Sequence, residues 1–151
     1  MAAMLNTLKQ LFESLDEPTH QDALQRQRIA IVILLLEVAN SDFKLRQREL
    51  DRLLQVIQQR WRLSDNEAAE LLAIATREAE QHASLHEHLK LINTRLDYSQ
   101  RCSLISDLWK VAWADDEIHH YEEHLIRRLA DLMYVSHADF IRTKHQAVNK
   151  R

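Results

Sequence analysis

The stretch ADDEIHHYEEH, Ala114 to His124, sets Asp115, Asp116, Glu117, Glu122 and Glu123 beside His119, His120 and His124. Carboxylate oxygens are hard ligands that suit Ca²⁺ or Mg²⁺, and imidazoles suit Zn²⁺ or Ni²⁺. His120 and His124 are spaced i, i+4, so on a helix they share a face, as two zinc-binding imidazoles would. A zinc-protease helix needs Glu directly after the first His, and here Tyr121 stands there, with Glu122 and Glu123 following. The plainer reading of these histidines is a solvated helix surface. The same holds for HASLHEH, His82 to His88, at a helix junction.

A weaker copy of the pattern lies earlier in the chain. VANSDFKLRQRELDRLLQVI, from Val38, aligns with VAWADDEIHHYEEHLIRRLA, from Val111, 73 positions on. The pairs Val38/Val111, Ala39/Ala112, Asp42/Asp115 and Glu49/Glu122 are identical, and Leu45/Ile118, Leu53/Ile126 and Val56/Leu129 stay apolar. Each copy has an apolar helix before the motif and an amphipathic helix after it. A further helix then opens at Ser64 or Ser136. This predicts two pseudo-symmetric helical repeats, approximately 29–82 and 99–148.

In each copy the aspartate falls where one helix ends, and the glutamate falls in the first turns of the next, near its exposed amides and positive dipole end. Two chemistries fit. The carboxylates can clamp the turn by capping those amides, or they can hold a hard cation together with carbonyls and water. Neither copy has the alternating oxygen ligands and closing glutamate of an EF-hand. The candidate metal ligands are therefore Asp115, Glu122, His119, His120 and His124 in the second copy, and Asp42 and Glu49 in the first. Ca²⁺ or Mg²⁺ is expected ahead of Zn²⁺. The first copy's Lys44, Arg46 and Arg48 oppose a cation, so the second is expected to dominate.

Other chemistry is hard to build. With no glycine there is no phosphate-binding loop or nucleophile elbow, serines fall mainly at helix starts, and Cys102 stands alone among apolar neighbours. A lone cysteine excludes an internal disulfide and a redox dithiol, and fits a reducing, cytoplasmic setting. The chain is therefore expected not to be an enzyme. A metal-dependent hydrolase using Asp115, Glu122 and the nearby histidines is the alternative, and a purely structural adaptor is the second. Net charge is −3, with basic and acidic residues interspersed, which argues against nucleic acid or an anionic membrane as partner. A protein partner is expected, and a homo-oligomer is compatible with the composition. Trp61, Trp109 and Trp113 suit core or groove walls, with one available to a partner.

These residues must be positioned by helices. The absence of glycine removes the usual hairpin turns, and apolar residues recur at helical spacing along nearly the whole chain. Thr19/Asp22, Ser64/Glu67, Ser84/Glu87 and Ser136/Asp139 mark helix starts. The pattern predicts an all-α fold, a single compact bundle of about eight helices in one domain spanning 1–151. The helices run approximately 4–15, 20–40, 46–62, 65–82, 85–94, 99–114, 119–133 and 137–148. The first is amphipathic and carries no signal-peptide features. IAIVILLL, from Ile29, is too short to span a membrane and reads as a helix buried on all sides.

Over about Ile29 to Phe140 the doubled pattern A-x-A/S-D-x-x-hydrophobic-x-x-x-E, here ANSDFKLRQRE and AWADDEIHHYE, resembles the TerB-like domains of tellurite-resistance proteins. That family usually has glycine after the aspartate, where this chain has Phe43 and Asp116. Asp tolerates a left-handed backbone better than Phe, so the first turn is expected to differ in shape. The resemblance implies an all-α domain associated with tellurite and stress resistance, acidic clusters linked to divalent metal, and no established reaction.

Overall fold

Six consecutive apolar residues, Ala30 to Leu35, leave a helix no polar face, and all six are buried. They form the middle of α2 (His20–Ala39), which becomes the axis of the molecule and packs against five other helices. The computed structural model describes residues 4–8, 20–41, 46–81, 84–115 and 117–149. Residues 4–8 are helical and are labelled α1. After α2 come α3 (Gln47–Trp61), α4 (Asp65–Gln81), α5 (His86–Arg95) and α6 (Tyr98–Ala112). A 3₁₀ turn, Trp113–Asp115, leads to α7 (His120–Leu132) and α8 (His137–Asn149). There is no strand among the described residues, and the fold is all-α, with helices close to the predicted bounds. The remainder of the predicted 4–15 helix, and the Thr19 cap, lie outside the described residues.

Helix starts are fixed by side chains. The Ser64 amide donates to Glu67 Oε1 at 3.1 Å and the Glu67 amide donates to Ser64 Oγ at 3.2 Å, a reciprocal capping box that opens α4. Ser84 Oγ accepts from the His86 amide, and Ser136 Oγ from the Asp139 amide, each at 3.2 Å. A further box opens α6, where Asp97 Oδ1 accepts from the Gln100 backbone amide and Gln100 Oε1 accepts from the Asp97 backbone amide. Two helix ends need left-handed backbone, and without glycine the positions fall to Arg62 (φ 52°) and Tyr134 (φ 57°). After them the Leu63 amide reaches back to the Gln58 carbonyl, and the Val135 amide to that of Ala130.

The second centre of packing is α6, which lies against α2, α3, α7 and most closely α8. Trp109 of α6 is fully buried, with its ring 5.3 Å from that of Phe140 in α8. Cys102 is buried, as expected of a small hydrophobe. Trp61 and Trp113 are half-buried. The core thus joins α2 and α6, the two helices that run into the acidic turns.

Candidate functional site

The acidic turns are built where α2 hands over to α3 and where α6 hands over to α7. In both, an extended residue leads into the second helix: Arg46 (φ −85°, ψ 152°) before α3 and His119 (φ −79°, ψ 152°) before α7. The glutamate three residues on is the third helical residue in each case, beside the amides that have no partner inside the helix. Glu49 is 3% exposed and Glu122 is 2% exposed. Leu53 and Ile126, one turn further on and fully buried, seat this face of each helix in the core. Buried carboxylates are rare because the charged form loses its hydration, and they persist where donors or cations compensate it.

The other predicted ligands are placed differently. His120 and His124 are exposed on α7, whereas Glu122, two residues from each, is buried. A two-residue step turns about 200° around a helix, so the two imidazoles and the carboxylate occupy different faces. His119 precedes the helix and is half-buried. Asp115 closes the 3₁₀ turn, and its side chain, like Asp116 and Asp42 as a whole, lies outside the described residues. Among the described residues no three His, Cys, Asp or Glu side chains gather as a metal site. Of the His82–His88 cluster, His86 is exposed and His88 half-buried, and His82 lies outside the described residues.

Glu123 behaves unlike its neighbour. Lys144 Nζ of α8 donates to Glu123 Oε1 at 2.8 Å. That hydrogen bond, opposed by partial burial and aided by the charges of Lys144, Arg127 and His120, holds the carboxyl below its ordinary range. Lys144 also stands 5.5 Å from the Trp109 ring centroid, so one cation joins the turn to the core. Beside this pair a groove of about 520 Å³ runs past Trp113, Ile118 and Val148, with Glu117 and His145 on its wall.

Two features escape a reading by motif. Lys144 and Glu123 lie 21 residues apart, and neither carries a local sign of the other. Asp107 is buried on α6 and bonded to Arg60 of α3. Its sequence signal was a single acid flanked by Leu104, Ile105, Leu108 and Trp109.

The family model of tellurite resistance protein TerB matches residues 28–145. No curated protein and no solved structure matches the chain.

Proposed function

The chain belongs to the TerB family, and we propose that it serves as a non-enzymatic, cytoplasmic module of the tellurite or stress response that holds one divalent cation at its second acidic turn. The observation that carries this is the burial of Glu122, a carboxylate 2% exposed at the head of α7, in a chain segment where Asp115, Asp116 and Glu117 lie five to seven residues before it. Asp115 and Glu122 would hold the ion. Their oxygens favour Ca²⁺ or Mg²⁺ over Zn²⁺, because His120 and His124 lie on the outer face of α7. The ion would neutralise the carboxylates that bind it and fix the angle between α6 and α7.

Partner docking is the second part of the proposal. The groove walled by Trp113, Ile118 and Val148 adjoins the turn, so a change in the turn on metal binding would reach a protein seated there. No helix among the described residues is long and apolar enough to cross a membrane.

Calorimetric titration of tag-free protein with Ca²⁺, Mg²⁺ and Zn²⁺ tests the reading. One site per chain is expected, lost in Asp115→Asn and largely kept in Asp42→Asn, because Arg46 and Arg48 flank the first turn. Two equal sites, or dependence on Asp42 alone, would overturn it.

A further inference from the structure

Asp107 is a third buried acid, 7% exposed, on α6. Its Oδ2 accepts from Arg60 Nη1 of α3 at 2.6 Å, a short, charge-assisted contact. Its Oδ1 accepts from Lys110 Nζ at 3.4 Å, one turn along α6. Two cations therefore face one carboxylate, and the cluster keeps a positive charge. The contacts are unequal: Arg60 is held tightly, whereas Lys110, with its side chain 33% exposed, is held at the limit of a hydrogen bond.

A cavity of about 450 Å³ opens over this trio, between α2, α3 and α6. Its volume is in the range that takes small molecules. The buried Ile31 and Val56 lie at its floor, and Gln27 and Gln59 supply amides that can both donate and accept. Trp61 forms part of the wall, with the Arg60 guanidinium 5.7 Å and that of Arg28 5.3 Å from its ring. Arg60 is thus fixed from two sides, by Asp107 and by the indole, which pre-orients its remaining donors.

We infer that this cavity binds a small organic anion bearing a carboxylate or phosphate group, with Arg60 and Lys110 taking the charge and Gln27 and Gln59 reading the rest of the molecule. Lys110 can leave its long contact with Asp107 for the ligand, while Arg60 holds both. The internal carboxylate sets the selectivity: it balances one cation, so the site keeps a single positive charge for an incoming anion, and neutral analogues leave that charge unmatched. This site shares no residue with the acidic turns, and it stands whether or not they bind metal.

The test is nuclear magnetic resonance on the isotope-labelled full chain, titrated with inorganic phosphate and separately with glutarate, against chloride at matched ionic strength. Saturable shifts are expected at the Trp61 indole and the Gln27 and Gln59 side-chain amides, and not at the surface of α8. Saturation by phosphate alone assigns a phosphoryl ligand, and saturation by glutarate alone a carboxylate. Lys110→Gln, at a position whose side chain is one-third exposed, should weaken binding about tenfold, as expected for one charge-assisted contact. Asp107→Asn, where it folds, should strengthen binding by removing the competing anion. No saturable shift with either probe, or unchanged binding in Lys110→Gln, would overturn the inference.

Discussion

Lys144 of α8 donates to Glu123 of α7 at 2.8 Å, which sets a fixed cation one residue from the buried Glu122. The pair is about two-thirds buried at each end, so its direct worth is modest, about 0.5 kcal/mol. Its larger effect would be on the cation site proposed above, where it would withhold one carboxylate from the ion and add a repelling charge. Lys144→Met is expected to lower the urea midpoint slightly and to tighten divalent-cation binding about threefold, since it removes one like charge near the site. Weaker binding in calorimetry would mean that Lys144 positions the turn rather than competing with the ion.

The two uses of the second turn separate in a double variant. If Asp115 and Glu122 only cap helix amides, Asp115→Asn with Glu122→Gln should cost the metal-free protein about 1–2 kcal/mol. A cation site predicts otherwise, because carboxylates crowded without their ion repel one another. The expected outcome is a metal-free variant at least as stable as the parent, with the metal-induced rise in Tm abolished. Loss of stability with no metal effect in the parent would assign the turn to capping.

Acid should act through the caps. Hydrogen bonds from the Ser64 amide and hydroxyl hold Glu67 below its ordinary value, and those from Tyr98, Arg142 and Ser136 do the same for Asp139. A carboxyl depressed in the fold contributes stability that is present above its unfolded pKa and lost as pH falls through the folded one. For Glu67 that window starts near the ordinary 4.5 and for Asp139 near 3.8, and extends downward. In urea denaturation the advantage of the parent over Glu67→Gln should be full near neutrality and shrink on acidification through this window. An advantage that grows in acid would contradict the assignment.

Much of the helix layout was legible because apolar spacing and caps are local signals. The Ser64/Glu67 box stands in the sequence as it stands in the fold, and six apolar residues in a row could only be the buried centre of α2. The Asp97/Gln100 box is equally local, but it uses Asp in place of Ser or Thr as the cap, so the motif of a hydroxyl cap with Glu three residues on does not mark it. The site was less legible, for a different reason. Acid at a helix start is ordinary chemistry, and only burial distinguishes Glu49 and Glu122 from solvated Glu67. The i, i+4 histidines share a face as their spacing demands, but spacing does not say which face, and it is the solvent side. The Arg60–Asp107 pair joins residues 47 apart, so only packing of α3 on α6 reveals it.

The absence of glycine yields the last prediction. Arg62 and Tyr134 sit at φ 52° and 57°, where a Cβ crowds the following carbonyl at a cost of about 1–2 kcal/mol. Both are exposed, Tyr134 at 75%, so little packing is lost on truncation. Glycine removes the crowding but gives the unfolded chain more freedom, worth about 0.4–1 kcal/mol. The balance favours the fold, and Arg62→Gly and Tyr134→Gly should each stabilise by roughly 0.5–1 kcal/mol, with Asn giving a smaller gain. Tyr134→Ala is the control, since it deletes the ring and keeps the Cβ, and it should bring no gain. The two glycine effects should add, because the sites end different helices. Equal gains from alanine and glycine at position 134 would place the effect in the exposed ring rather than in the backbone, and chemical denaturation of the five single variants and the double glycine variant decides between them.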